Sequence, residues 1–220
     1  MISTGKYLAF GALGAVALWW LLRPAATKDY GGKKVPTTVD KPPLPPQALW
    51  QCPAPGTRVL LVGDSYADGL KPHLAALAQD CAVPFAAATQ VGSSATKWAT
   101  DAGLGALLAS STPTVVLVSL GGNDFQRDQA SVQAAVTTLV GRLRNAGARV
   151  LWIAPLTLPF ADKAGVRAMW KVVVGEDWLD GEKFEYPRAT DKIHLYPSGY
   201  QDWAGKVWTW MSALTRGYRP

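Results

Sequence analysis

Apolar and polar residues alternate along most of the chain in the pattern of an α/β protein. Short apolar runs typical of buried parallel strands occupy residues 58–62, 83–88, 114–120 and 149–155. Apolar residues at helical spacing follow these runs, over residues 68–78, 130–145, 161–174 and 200–214. This order predicts a three-layer α/β/α sandwich with a parallel, flavodoxin-like sheet.

The N-terminal quarter departs from this alternation. Residues 7–22 carry no charge and lie between Lys6 and Arg23, so residues 1–23 are predicted to form an N-terminal transmembrane helix that anchors the protein. A cleaved signal peptide is the alternative, because the apolar run is only slightly longer than a typical signal h-region. Residues 24–55 are rich in proline and lysine and are predicted to be a linker, which leaves residues 56–220 as the folded domain.

The positive charge of the chain is concentrated in this N-terminal part. The formal net charge is +6, and residues 1–49 carry six Lys or Arg residues against two Asp residues. A basic segment beside a membrane helix suits anionic lipid headgroups, so the charge predicts a membrane partner and no nucleic-acid partner. Basic residues on both sides of the apolar run leave the membrane orientation open.

Three short polar motifs stand out in the predicted domain. Gly63-Asp64-Ser65 follows the first apolar run, Gly-Gly-Asn-Asp at residues 121–124 follows the third, and Asp-Lys-Ile-His occupies residues 191–194. Each motif alone is typical of an ordinary turn. Polar side chains at the carboxyl ends of parallel strands converge in one crevice, however, so the first two motifs are expected to meet.

Together the motifs resemble those of the SGNH hydrolases, the GDSL-type esterase and lipase family, over roughly residues 57–215. The resemblance implies Ser65 as the nucleophile, His194 as the general base and Asp191 as the acid that orients the histidine. It also implies an oxyanion hole made by the backbone N–H groups of Ser65 and Gly92 and by the side chain of Asn123.

Elementary chemistry also favours His194. A serine hydroxyl needs an adjacent base, and imidazole has a suitable pKa. The chain has two histidines, and His73 lies eight residues beyond Ser65 on one predicted helix, which puts it roughly 12 Å along the helix axis and out of reach. If the chain is catalytic, His194 is therefore the base, and Asp191 can accept its other ring N–H.

Three residues inside the motifs have subsidiary predictions. Asp64 and Asp124 are expected to support their loops by hydrogen bonds without taking part in the chemistry. Lys192 stands where the family commonly has a small residue, so the third motif departs from the family pattern at this turn.

Two cysteines bear on the compartment. Cys52 lies just before the first predicted strand and Cys81 just before the second. Those strands are neighbours in a flavodoxin-like sheet, so a Cys52–Cys81 disulfide is geometrically feasible, and two buried free thiols are the alternative. A disulfide favours an oxidising compartment, which predicts a domain on the periplasmic or extracellular side of the membrane.

Several aromatic residues follow predicted strand ends, and they either fill the core or contact a sugar or acyl group. They are Trp98, Phe125, Phe160, Trp170 and Tyr196.

These observations predict a membrane-anchored serine hydrolase of the carboxylesterase or acetylesterase type. Its location favours a small O-acyl group on a cell-envelope glycan as the substrate. An acyl lipid, cleaved by a lysophospholipase or thioesterase activity, is the alternative substrate, and a non-catalytic SGNH-like binding or structural module is the alternative function. No Cys/His cluster has metal-ligand spacing, so no metal and no cofactor are expected.

Overall fold

A computed structural model describes residues 51–159, 162 and 165–217. The predicted membrane anchor and almost all of the predicted linker lie outside the described residues. Among the helices that are described, none is long and apolar enough to cross a bilayer.

A five-stranded parallel sheet forms the centre of the described domain. Its strands are β1 (Val59–Gly63), β2 (Phe85–Thr89), β3 (Val115–Ser119), β4 (Arg149–Ile153) and β5 (Trp178–Leu179). Their order across the sheet is β2-β1-β3-β4-β5, and all neighbouring strands are parallel. This order confirms the predicted α/β fold with a flavodoxin-like sheet. The short strand β5 is only half-buried. It was not predicted, because two apolar residues are too few to indicate a strand.

Helices cover both faces of this sheet. They are α1 (Ser65–Asp80), α2 (Ala95–Ala99), α3 (Gly103–Ser111), α4 (Gln129–Asn145), α5 (Val166–Val174) and α6 (Pro197–Gly217), with a 3-10 turn at Gly181–Lys183. Strand β2 lies on one side of β1, whereas β3 and β4 lie on the other, so right-handed crossovers put α1 and α4 on opposite faces. Accordingly, α1 packs against α6, and α4 packs against α2 and α5.

The central strands are buried over their whole length because both faces are covered. Among the aromatic residues singled out in the sequence, Trp98, Phe125 and Trp170 are buried in the core. Tyr196 differs from them, since it is 47% exposed. Phe160 lies outside the described residues.

The last residues of the predicted linker are attached to the domain. Cys52 and Cys81 form a disulfide with a Cα–Cα distance of 5.5 Å, which confirms the predicted pairing. Pro53 is buried, and the backbone N–H of Ala54 donates a hydrogen bond to Thr215 Oγ1 at 3.4 Å. The folded unit therefore includes residues 52–55, which the sequence analysis assigned to the linker.

Candidate active site

The candidate residues lie around the carboxyl edge of the sheet. Ser65 follows β1, Gly92 follows β2 and Asn123 follows β3. Asp191 and His194 lie in the loop that precedes α6. The structure thus brings the three polar motifs to the edge at which parallel sheets form their crevices.

A tight junction between β1 and α1 presents Ser65 as the first residue of the helix. Asp64 caps this helix, because its Oδ1 accepts a hydrogen bond from the Tyr66 N–H at 2.9 Å. Gly63 is needed at the junction, since a Cβ there would lie 2.1 Å from the Ser119 carbonyl oxygen. The Ser65 N–H belongs to the first helical turn, where backbone N–H groups have no intrahelical acceptor and the helix dipole favours an anion.

Ser65, His194 and Asp191 form a continuous hydrogen-bonded chain. The Ser65 Oγ lies 2.8 Å from His194 Nε2, and His194 Nδ1 lies 2.6 Å from Asp191 Oδ2. With Nδ1 protonated and donating to the carboxylate, Nε2 is the acceptor for the serine proton. This is the geometry that a serine nucleophile and its general base require.

Asp191 is held as a carboxylate by the residues that follow it. Its hydrogen bond with the His194 side chain, together with the backbone N–H groups of Ile193 and His194, lowers its pKa to about 2. Those two N–H groups both donate to Asp191 Oδ1 at 2.9 Å. One carboxylate therefore orients the imidazole and also fixes the backbone that carries it.

Lys192 occupies a strained position in this loop. Its φ of +60° lies in the left-handed region, which glycine adopts more readily than residues with a Cβ. This explains why a small residue suits the position, and it shows that the turn forms with lysine there.

Asn123 lies beside the junction between β1 and α1, but both of its amide hydrogens are engaged. Nδ2 donates to the Ser93 carbonyl oxygen at 2.8 Å and to Asp64 Oδ2 at 3.3 Å. An oxyanion can recruit Asn123 by replacing the longer of these bonds, which is the one to Asp64. The role of Asn123 in an oxyanion hole stays a prediction.

Asp64 is only 2% exposed, and its burial raises its pKa to about 7. The neighbouring carboxylate of Asp124 raises this pKa further, whereas the Tyr66 N–H and His194 lower it. Near neutral pH, Asp64 therefore exists in both the ionised and the protonated form. The protonated form is the weaker acceptor for Asn123.

Asp124 joins the loop after β3 to the start of α2. It is fully buried, and its Oδ2 accepts a hydrogen bond from the Ala95 N–H at 3.1 Å. Burial raises the pKa of this carboxyl as well. These contacts fit the supporting position expected for Asp124, in the same way that the helix cap fits the one expected for Asp64.

Gly92 lies in an exposed turn with a φ of +74°, which favours glycine. Ser93 ties this turn to the core, because its Oγ donates to the Gly63 carbonyl at 3.3 Å and accepts from Trp98 Nε1 at 2.9 Å. The turn is therefore anchored to β1, the strand that precedes Ser65. The participation of the Gly92 N–H in an oxyanion hole stays a prediction.

Sequence reasoning missed three residues near the site, namely Tyr66, Ser93 and Arg188. Ser93 accepts from Asn123, and Tyr66 and Arg188 both contact the Ile193 carbonyl. The position of Tyr66 directly after Ser65 was a usable signal that it lies near the site, although not of which group it contacts. Arg188 lies in an irregular segment whose sequence pattern carries no comparable signal.

In the part of the chain that the structure describes, no group of three or more His, Cys, Asp or Glu side chains could hold a metal ion.

Comparisons with solved structures identify the same fold in several hydrolases. TesA superposes with a TM-score of 0.60 at 23% sequence identity, covering 72% of this chain and 99% of TesA. A family 3 carbohydrate esterase from Clostridium thermocellum gives a TM-score of 0.53 at 15% identity, covering 73% of this chain and 98% of the esterase. A variant of Axe2, an acetyl-xylooligosaccharide esterase from a Geobacillus species, gives 0.52 at 18% identity, covering 68% of this chain and 91% of that one. At these identities the likeness shows the shared fold.

Comparison with curated protein sequences found no match. A family profile described as "SGNH domain (fused to AT3 domains)" matches residues 37–193, which are most of the chain and end one residue before His194. The chain belongs to the SGNH domain family.

Proposed function

We propose that this protein is a serine hydrolase that cleaves ester bonds through a covalent acyl-enzyme. The observation that carries the proposal is the hydrogen-bonded chain from Ser65 Oγ through His194 to Asp191, with distances of 2.8 and 2.6 Å. An imidazole held between a hydroxyl and a carboxylate is the arrangement that activates a serine.

In the first half-reaction, Ser65 Oγ attacks the ester carbonyl carbon while His194 Nε2 takes the hydroxyl proton. Collapse of the tetrahedral intermediate breaks the bond to the leaving oxygen, and His194 returns the proton to the leaving alcohol. Asp191 stabilises the imidazolium that exists between these two events.

In the second half-reaction, water replaces the alcohol. His194 takes a proton from water as its oxygen attacks the acyl carbon, and then gives that proton to Ser65 Oγ as the acyl bond breaks. The products are the free acid and the original enzyme.

The negative charge of each intermediate is met by N–H donors around Ser65. The Ser65 N–H at the start of α1 is one donor, and the Asn123 side chain and the Gly92 N–H are the two others that we propose. Recruitment of Asn123 requires that its bond to Asp64 be given up, and this bond is the longer of its two at 3.3 Å.

For the substrate we propose a small O-acyl group on a cell-envelope glycan. The triad is open to solvent, since the side chains of His194 and Asp191 are 34% and 47% exposed, which suits a large polymer that approaches from outside. Tyr196 is half-exposed and lies two residues beyond the base in the sequence, and we propose its ring as an aromatic surface for the glycan. Two proteins of similar fold are described as a carbohydrate esterase and an acetyl-xylooligosaccharide esterase.

An acyl lipid is the second substrate class. It is favoured if residues 1–23 anchor the domain so that the site faces the bilayer. A chain that begins near Gln47 tests the anchor itself, since we expect it to be soluble and fully active on a soluble ester, whereas the full chain should partition with membranes. Loss of soluble-ester activity in the shortened chain would show that the removed segment contributes to the site.

A fluorophosphonate probe tests the proposed chemistry directly, because only an activated serine forms the covalent adduct. We expect the wild-type protein to be labelled at Ser65 and the Ser65→Ala variant to remain unlabelled. An unlabelled wild-type protein that binds acetylated glycans would instead identify a non-catalytic binding module.

A series of soluble esters with increasing acyl length, followed by acetylated glycans and lysophospholipids, tests the substrate class. We expect activity to be highest for acetyl esters and to fall as the acyl chain lengthens. A maximum at long acyl chains would replace the glycan proposal with the lipid one.

A further inference from the structure

We infer that Arg188 and Tyr66 are positioning residues that hold the loop of the general base against the nucleophile helix. The inference rests on the proposed function, since it concerns the distance between Ser65 and His194. Neither residue belongs to the three motifs.

The two residues meet at a single backbone carbonyl. Tyr66 Oη donates to the Ile193 carbonyl oxygen at 2.6 Å, and Arg188 Nη1 donates to the same oxygen at 2.6 Å. Arg188 Nη1 also lies 2.6 Å from Tyr66 Oη, which accepts from it. The Ile193 carbonyl therefore has two donors that are themselves hydrogen-bonded to each other.

This carbonyl belongs to the peptide unit that leads into the general base. The N–H of that peptide unit, on His194, donates to Asp191 Oδ1 at 2.9 Å. The next carbonyl, that of His194 itself, accepts from the Ala189 N–H at 2.8 Å. The backbone of His194 is thus fixed on both sides. The Arg188–Tyr66 pair adds the hydrogen bonds that connect this loop to the rest of the domain.

The loop requires such a tie because it has little regular structure of its own. Between Arg188 and α6 it contains one antiparallel bridge, Arg188 to Leu195, and no helix or strand. Lys192 adds a left-handed backbone conformation, and the Asp191 side chain is 47% exposed. The spacing between His194 and the nucleophile is therefore set by contacts that come from elsewhere in the domain.

Tyr66 is suited to this task by its place in α1. It directly follows Ser65 in the first helical turn, so the same backbone that presents the nucleophile also carries the hydroxyl that holds the loop. Its ring also lies against the imidazole, with a centroid distance of 5.7 Å. A shift of the loop away from α1 therefore breaks the Tyr66 hydrogen bond as well as the contact between His194 and Ser65.

Arg188 also connects the loop of the general base to a third segment of the chain. Its Nη2 donates to the Thr157 carbonyl oxygen, in the loop after β4, at 2.5 Å. Within the described residues no carboxylate lies within ion-pair distance of Arg188, so its recorded hydrogen bonds go to neutral oxygens. A planar guanidinium can bridge oxygens on three segments at once, whereas a lysine ammonium on its flexible stem does not reproduce that fork.

The test compares Tyr66→Phe and Arg188→Lys with Arg58→Lys as the matched control. Arg58 also donates to a backbone carbonyl, that of Thr112, but it lies at the amino end of β1, away from the site. We expect kcat on a soluble ester to fall about 10-fold in Tyr66→Phe and about 100-fold in Arg188→Lys, because displacements near 1 Å have effects of that size. KM and the thermal midpoint should change little, and the control should keep the wild-type kcat.

Three further measurements separate positioning from general destabilisation. The rate of fluorophosphonate labelling should fall by the same factor as kcat, since it reports activation of the serine without an ester substrate. Added guanidinium ion should raise the kcat of Arg188→Ala relative to the same concentration of sodium chloride, whereas the control Arg58→Ala should not respond. The double variant should be less impaired than the product of the two single effects, because both residues bind one oxygen.

Several results would overturn the inference. One is an unchanged kcat and labelling rate in folded Tyr66→Phe and Arg188→Lys. Another is a rise in KM alone, which would make Arg188 a substrate contact. If Arg188→Lys does not fold, Tyr66→Phe decides the question by the same criteria. Failure of the wild-type protein to label would refute the proposed function, whereas normal labelling of wild type and both variants would refute this inference alone.

Discussion

At the scale of single residues, Ser65 and His194 are expected to act as one unit. We predict that Ser65→Ala and His194→Ala each abolish ester turnover with the fold intact, because loss of either partner removes the activated nucleophile. Asp191→Asn should retain more activity, since Ser65 and His194 remain in place. Steady-state turnover and far-ultraviolet circular dichroism measure the two effects.

His73→Ala is the control for this prediction and should retain full activity, since His73 lies on α1 well beyond Ser65. If His194→Ala kept more than about a tenth of the wild-type rate, the assignment of the general base would be wrong.

Asn123 tests the oxyanion hole. We predict that Asn123→Ala lowers kcat by about 10² to 10³-fold with little change in KM, because an oxyanion-hole donor binds the intermediate more strongly than the ground-state carbonyl. Initial rates over a range of ester concentrations measure kcat and KM separately. An effect confined to KM would instead make Asn123 a substrate contact.

Asp64 makes a pH-dependent contribution to the stability of the domain, and the sign of this contribution follows from its raised pKa. Burial raises its folded pKa from 3.8 to about 7, so the folded state binds this proton more tightly than the unfolded state does. Its contribution to stability is fully present below about pH 4 and is lost progressively as the pH rises towards 7. The difference is on the order of a few kcal/mol.

Asp64→Asn should remove this pH dependence while keeping the helix cap, since asparagine is also a good N-cap residue. Urea unfolding of the wild type and the variant, at pH values below and above this titration of Asp64, measures the effect. A wild-type protein and variant with parallel stability curves across this range would contradict the prediction.

At the scale of elements, the loop after β3 depends on its close approach to α5. Gly121 has a φ of +126°, and a Cβ there would lie 2.0 Å from the buried Trp170 ring. We predict that Gly121→Ala displaces the loop that carries Asn123 and destabilises the domain by about 3 kcal/mol or more, because overpacking and the forbidden backbone angle act together.

Gly141→Ala is the matched control, because Gly141 lies in α4 and an added Cβ would meet nothing within 4 Å. This substitution should stabilise the domain by about 0.5 to 1 kcal/mol, as alanine is the better helix former. Chemical unfolding and ester turnover of both variants test the pair, and equal behaviour would count against a close approach at Gly121.

At the scale of the whole molecule, the disulfide links the segment before β1 to the end of α1. Cys52 and Cys81 are 29 residues apart, so the bridge contributes about 3 to 4 kcal/mol by the chain-entropy estimate. We predict that reduction lowers the free energy of unfolding by that amount and leaves the active-site geometry intact, since both cysteines lie away from the carboxyl edge. Unfolding with and without reductant, with Cys52→Ser/Cys81→Ser as the control, measures it.

The compartment proposal depends on the same bridge. Mass spectrometry of protein isolated from its native location tests it. Two free thiols would remove the support for a domain on the periplasmic or extracellular side of a membrane.

The sequence by itself predicted four of the five strands and identified Ser65, Asp191 and His194 as candidates for the site. Strands buried on both faces are almost continuously apolar, so β1, β3 and β4 could be recognised without structural information. Ser65, Asp191 and His194 could be identified as candidates because the motifs that contain them, taken together, resemble those of the SGNH hydrolases. The parallel sheet also dictates that residues after its strands meet at one edge, whichever side chains they carry.

Only the tertiary structure decided which residues hold the site together. Ser93, Tyr66 and Arg188 act through backbone carbonyls that belong to other elements, and Arg188 is 31 residues from one of its acceptors. A backbone carbonyl is present at every residue, so a side chain that binds one leaves no periodicity or motif in the sequence. Such partners are determined by proximity in the folded chain. Local sequence patterns could therefore predict the candidate site residues, but not the side chains that hold them in position.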